Sequence, residues 1–251
     1  TPSQRKAVER LGLKGNGFVK ESKRYYPKGS LAAHVLGYAG IDNQGLAGIE
    51  SSQDREVQGK PGRICALRDG RGDHALATQE HPATAGRSVV LSLDEVIQHQ
   101  AEKELDAAVT EHRARGGTAI VMRPDTGEIL ALVNRPTFDP NAYSDYPAEA
   151  RRNRAISDIY EPGSTFKVVT VGAALEEKKV TPATVVYCEH GSIQIGKHTI
   201  NEDRLPFDYL TVEQIVEKSS NVGAIKLALM MPSSVFYRHL TDFGFGQPTG
   251  I

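Results

Sequence analysis

Ser164-Thr165-Phe166-Lys167 sets a hydroxyl and an amine three residues apart. Tyr160-Glu161-Pro162-Gly163 comes just before, a turn that predicts a helix opening at Ser164. Positions i and i+3 share one helix face, so Lys167 stands beside Ser164. A serine hydroxyl is a weak nucleophile until a base takes its proton. A free lysine, with a pKa of about 10.4, becomes that base once burial or neighbouring cations pull it toward neutrality. The helix N-terminus also favours negative charge developing on Ser164 and on a carbonyl under attack.

The four-residue spacing alone says little. With 15 Ser and 13 Lys in 251 residues, chance gives about 0.8 such pairs, and the chain has two. Ser3/Lys6 lies on a polar segment and reads as a solvated helix face. Ser164/Lys167 differs in context, because an apolar run (Val168, Val169, Val171, Ala173, Ala174, Leu175) follows and carries Lys167 toward an interior. Ser219-Ser220-Asn221 is the chain's only Ser-x-Asn. In isolation it reads equally as a helix–helix turn with Ser and Asn as caps.

The elements that must position these residues follow from periodicity and punctuation. Before residue 86 the pattern predicts a short helix from Ser3 to Leu11, a strand over Phe18–Tyr26, and helices over Leu31–Leu36 and Leu46–Val57. A hairpin is predicted from Arg63–Arg68 and His74–Thr78 around Asp69-Gly70-Arg71-Gly72. His81 to Gly86 reads as a linker, dividing 1–85 from 86–251. Beyond it come a strand over Ser88–Leu93 and an amphipathic helix over Asp94–Arg113 with Ile97, Ala101, Leu105 and Ala108 on one stripe. A hairpin follows from Thr118–Met122 and Glu128–Val133. Residues 134–160 read as loop, and helices are expected over Ser164–Glu177, Thr211–Lys218 and Val222–Met231. Thr211 with Gln214 is a capping box. The class is α+β.

Composition excludes several functions. Thirty Lys+Arg against 31 Asp+Glu leave a net charge of −1, which offers no basic face for nucleic acid. No run of about 18 apolar residues is present. Eight scattered histidines lack metal-ligand spacing, and neither a phosphate loop nor a dinucleotide fingerprint occurs (Gly12, Gly15 and Gly17 do not make one), so no metal or cofactor is expected. Cys65 and Cys188 are consistent with one bridge or two free thiols. Asp139 and Asp158 show no partner carboxylate and receive no acid/base role. Lys218 reads as a solvated helix end, with help in lowering the pKa of Lys167 as the alternative.

Ser-x-x-Lys followed by Ser-x-Asn is the order found in penicillin-binding proteins and serine β-lactamases. Longer stretches carry the likeness further: Asn153 to Lys167, Gly116 to Asn134, Phe138 to Asn141, Lys218 to Leu229 and Gly244 to Ile251 resemble class B penicillin-binding proteins, the monofunctional D,D-transpeptidases. Tyr26 to Glu50 resembles their non-catalytic pedestal, and Ser192 to Ile200 leans toward division or sporulation types. The resemblance implies a pedestal followed by a β-lactamase-like transpeptidase domain with an antiparallel sheet and a helical subdomain. It implies Ser164 as acylated nucleophile, Lys167 as general base, Ser219 as proton relay to the leaving amine, and Asn221 as holder of the donor amide and of Lys167. The Ser164 N–H would form half of an oxyanion hole. The implied substrates are peptidoglycan stem peptides ending in D-Ala–D-Ala. β-Lactams are the implied inhibitors, and a membrane glycosyltransferase or division complex the implied partner. The implied location is the outer face of a bacterial membrane, with an N-terminal anchor.

The sequence departs from that family in one respect. The third motif, Lys-[Ser/Thr]-Gly, does not occur, and Lys60-Pro61-Gly62 is its nearest approximation in letters. The expectation is therefore a catalytic domain cut before its last strands, with its own C-terminal remainder as a partner. Two other readings compete: a β-lactamase or β-lactam sensor, and a catalytically silent interaction module.

Overall fold

The computed structural model describes the backbone of residues 2–13, 15, 17–18, 22–68, 74–203 and 205–250, without the side chains of residues 2, 64–68 and 74–80. The chain divides into two units, Thr1–Asp158 and Ile159–Ile251. Among the described residues every strand pairs with one antiparallel partner, and no helix is long and apolar enough to cross a membrane.

The first unit opens with α1 (Pro2–Arg10), on which Ser3 and Lys6 are exposed. The described part of the expected strand at Phe18–Tyr26 is not a strand. Its last backbone groups go to a side chain instead: Tyr26 N–H donates to Asn141 Oδ1 (2.9 Å) and Asn141 Nδ2 donates to Tyr26 O (2.9 Å). Next come α2 (Ala33–Leu36), β1 (Tyr38–Ala39), β2 (Gly45–Ala47), α3 (Gly48–Ser52) and α4 (Asp54–Val57). The helix expected from Leu46 starts only at Gly48, because β2 pairs with β1. It breaks at Gln53, which leaves helical geometry (φ −110°). Gly48 sits at φ +57°, and a Cβ there would lie 2.5 Å from Val35 O, so only glycine fits.

The hairpin forms as expected from β3 (Arg63–Arg68) and β4 (His74–His81), while its turn, residues 69–73, lies outside the described residues. The expected linker is tied down: Lys60 and Thr84 exchange both backbone hydrogen bonds, and Arg87 N–H donates to Glu56 O. Ser88–Leu93 is not a strand either. It meets the neighbouring ladder through Ser92 Oγ to Ile129 O and Asp94 N–H to Leu130 O, two bonds that do not make a ladder.

Helix α5 (Glu95–Glu111) starts where the sequence predicts, with the Asp94 carboxylate accepting from Val96 N–H and Ile97 N–H. Its expected apolar stripe is only half-buried, and the residues it buries fully are Gln98 and Glu102. Hydrogen bonding explains the inversion. Gln98 donates to Leu132 O and accepts from Leu132 N–H, so its amide serves as the missing strand partner for β6. Glu102 accepts from Ala32 N–H and from Gln98. β5 (Gly117–Met122) and β6 (Ile129–Arg135) form the predicted hairpin. Buried Arg135 on β6 reaches back to α5, pairing its guanidinium with both oxygens of Asp106. The stretch read as loop contains a 3-10 helix (Pro140–Asp145) capped by Asp139, then α6 (Ala148–Arg151) and α7 (Arg154–Ser157). Asp158 pairs with Arg152 and Arg154, so both carboxylates set aside earlier do structural work.

The second unit is mainly helical. A 3-10 turn (Gly163–Phe166) runs into α8 (Lys167–Glu176). After it come β7 (Val185–Tyr187), β8 (Ser192–Ile195), β9 (His198–Asn201), β10 (Tyr209–Thr211), α9 (Val212–Glu217), α10 (Asn221–Leu229) and α11 (Ser233–Asp242). The capping box at Thr211 and Gln214 is present on α9. β7 pairs with β10, and β8 with β9. The core is built from α8 (Val171, Ala173, Ala174), the β7–β10 ladder (Val186, Leu210) and α9–α10 (Val212, Ile215, Val222, Leu227). Cys188 lies in that core as a free thiol, and burial pushes its pKa up.

Candidate active site

Two helix starts face each other in the second unit. Gly163 adopts φ +59°, which turns the chain into the 3-10 segment and leaves Ser164 exposed at the head of α8. Lys167, one turn on, is half-buried. On the other side, α9 ends at Lys218 and Ser219 takes φ +57° before α10 begins at Asn221. Ser220 is the N-cap of α10, and its Oγ accepts from Gly223 N–H (2.9 Å).

The structure brings together all four residues that the sequence singled out. Lys167 Nζ lies 3.2 Å from Ser164 Oγ, 3.0 Å from Ser219 Oγ and 2.7 Å from Asn221 Oδ1, and it also bonds to Ser219 O. The chemistry of these partners matters. Asn221 Oδ1 and the Ser219 carbonyl can only accept, so they take two N–H bonds. The remaining position on nitrogen faces two hydroxyls, which can donate. A neutral Lys167 held this way aims its lone pair at Ser164 or Ser219, the arrangement a general base requires.

Electrostatics pull Lys167 two ways. Burial lowers its pKa below the ordinary lysine value, favouring the neutral amine, while the charges of Glu202 and Asp203 oppose that shift. Lys218 is the exposed C-cap of α9 and lines the same cleft. The cleft has a volume of about 530 Å³ and is lined by Ser164, Glu202, Asp203, Leu205, Phe207 and Ser219 among others.

Sequence reasoning missed Glu202 and Asp203. Asp203 accepts from Asn221 Nδ2 at 3.3 Å, and Asn201 O accepts from the same nitrogen at 3.1 Å, which orients the Asn221 amide with its oxygen toward Lys167. The signal was a weak one: two adjacent carboxylates at the end of an alternating stretch, with no spacing that ties them to Ser219. Of the other candidates, Ser3 and Lys6 belong to the other unit, and His190 and His239 pair with Asp208 and Glu177. Among the described residues no cluster of His, Cys, Asp or Glu could hold a metal.

Comparisons with known proteins point in one direction. Residues 117–251 match the model of the penicillin binding protein transpeptidase domain, and residues 4–91 that of the penicillin-binding protein dimerisation domain. The chain is 37% identical over 250 residues to the peptidoglycan D,D-transpeptidase FtsI of Escherichia coli, covering 100% of this chain and 42% of that protein. It is 37% identical to stage V sporulation protein D of Bacillus subtilis, covering 98% and 39%. The chain thus spans less than half the length of the curated relatives it matches. Among solved structures, penicillin binding protein 3 of Mycobacterium tuberculosis superposes with a TM-score of 0.80 at 34% identity, covering 91% of this chain and 48% of that one, and has also been solved with ampicillin. A peptidoglycan synthetase of Bifidobacterium adolescentis gives a TM-score of 0.82 at 26% identity, covering 100% and 46%.

Proposed function

This chain belongs to the class B penicillin-binding proteins, and on that footing we propose that it carries the nucleophile, base and relay of a peptidoglycan D,D-transpeptidase. The observation that carries the reading is Lys167 Nζ held between Ser164 Oγ, Ser219 Oγ and Asn221 Oδ1.

In this reading Lys167 takes the proton of Ser164 as Oγ bonds to the carbonyl carbon of a D-Ala–D-Ala peptide. The Ser164 N–H, at the start of a helix, contributes to an oxyanion hole. The C–N bond then breaks, and the departing D-Ala amine receives a proton through Ser219. An amine of a neighbouring strand displaces Ser164 and completes the cross-link. Asn221 holds the donor amide and Lys167. A β-lactam enters as donor and stays on Ser164. In this reading residues 1–85 form the pedestal and 86–251 belong to the transpeptidase domain. The protein works at the outer face of a bacterial membrane with cell-wall polymerising partners, of the kind the division and sporulation relatives suggest.

Labelling of the full-length protein with a fluorescent penicillin tests this. Stable labelling at Ser164, lost in Ser164→Ala, is expected; rapid turnover of the drug instead indicates a β-lactamase.

A further inference from the structure

The Ser-x-Asn turn is held by a residue from neither serine motif. Glu202 follows β9 directly and reaches the start of α10. Its Oε1 accepts from Ser220 Oγ at 2.5 Å and from Val222 N–H at 3.1 Å, and its Oε2 accepts from Asn221 N–H at 2.8 Å. The two amides belong to the first turn of α10, where a helix offers them no acceptor and where its dipole favours an anion. One carboxylate therefore takes three donors from three consecutive residues.

Just before that triplet, Ser219 sits at φ +57°. That turn is set by the end of α9, where Ser219 N–H donates to Val216 O (3.1 Å) and Ser220 N–H to Ile215 O (3.0 Å), and the triplet that follows it is set by Glu202. Ser220 is fully buried and bonded on both sides, to Glu202 and to Gly223. Resting on the reading of Ser164 and Lys167 as nucleophile and base, we infer that Glu202 is a positioning residue for acylation. It clamps residues 220–222 so that Ser219 and Asn221 present their oxygens to Lys167.

The clamp is matched to a carboxylate. A glutamine in its place presents one acceptor and one NH₂ donor. In either orientation that NH₂ faces a backbone N–H, Asn221's or Val222's, and leaves it unpaired. The charge matters separately. Among the described residues the ionisable groups lining the cleft are Glu202, Asp203, Glu217 and Lys218, and Glu202 is one of the two that raise the proton affinity of Lys167. Without that charge, Lys167 loses its proton at lower pH.

The test is the second-order rate of acylation by a fluorescent penicillin against pH, in the full-length protein and in Glu202→Gln and Glu202→Asp. In Glu202→Gln the plateau rate should fall about tenfold or more, the cost of a backbone donor left unpaired, and the acid limb should move to lower pH. Glu202→Asp keeps the charge and loses reach, so its rate falls while the limb stays in place. An unchanged plateau and limb in Glu202→Gln overturn the inference, as does a loss of rate that merely tracks lost stability with the limb unmoved. If the unsubstituted protein is not labelled at Ser164, the nucleophile reading itself fails. The clamp is then decided on Lys167 alone, by competitive amine acetylation against pH read by mass spectrometry. Lys167 should titrate at lower pH in Glu202→Gln, and identical curves overturn the inference.

Discussion

Lys167 Nζ lies 2.7 Å from Asn221 Oδ1, although 54 residues of chain separate them. The contact joins the first turn of α8 to the first residue of α10, and the whole excursion between them stays within one unit. It explains why a four-residue spacing that chance supplies freely becomes specific once a second motif is set beside it.

Replacing Lys167 with alanine should lower the acylation rate by at least about a hundredfold, the range that loss of a general base produces. The fold should survive, because the Lys167 amino group bonds only to site residues and the core of this unit does not include it. Circular dichroism melting alongside penicillin labelling checks both halves.

Asn221→Ala removes an acceptor that fixes the amine without touching the nucleophile. The loss leaves one N–H of the neutral Lys167 without its acceptor, a cost of about 1–3 kcal/mol, so acylation should slow about fivefold to a hundredfold. A rate within twofold of the parent, measured by stopped-flow with a chromogenic cephalosporin, would show that Lys167 does not need this partner.

Gly223 permits the close approach of α10 to α9. A Cβ there would stand 2.6 Å from Ile215 Cγ1 and 3.0 Å from Ser220 Oγ. Both neighbours are fully buried, so neither can move aside freely. Gly223→Ala should cost about 1–3 kcal/mol in urea unfolding, as over-packing does, and should slow acylation by displacing Ser220.

Asp106 supplies a pH dependence in the other unit. The hydrogen bond from Arg135 holds its carboxyl below the ordinary aspartate value. A depressed folded pKa adds stability above about pH 4 that disappears as pH falls through the lowered value. The Asp106 side chain is 60% exposed, so the pair contributes about 1 kcal/mol or less. Asp106→Asn should be less stable than the parent near neutrality, with the gap closing in acid; a gap that widens below about pH 4 contradicts this assignment.

What the sequence made legible follows a physical division. Signals that act within a few residues were readable: the Asp94 cap of α5, the Thr211–Gln214 box, the β5–β6 hairpin and the Pro-Gly turn before Ser164. What depends on distant backbone groups was not. Phe18–Tyr26 and Ser88–Leu93 carry strand-like residues, but Asn141 takes the backbone groups of Tyr26 and two bonds to β6 hold the second stretch in place of a ladder partner. Gln98 and Glu102 look like the wet side of α5 and are its deepest residues, because unpaired backbone on β6 and at Ala32 needs them. The site divided the same way. Its four motif residues were legible as motifs, whereas Glu202 and Asp203 take their meaning from β9 ending against the start of α10.

The left-handed backbone of Ser219 has a consequence for anyone seeking a more robust variant. Glycine would occupy that φ of +57° without strain, yet it would delete the Oγ lying 3.0 Å from Lys167. On the proposed role of Ser219, stability and acylation therefore pull in opposite directions at this one position. A library selected for heat resistance alone should accumulate Ser219→Gly and lose penicillin labelling as it does so, an activity–stability conflict confined to a single Cα.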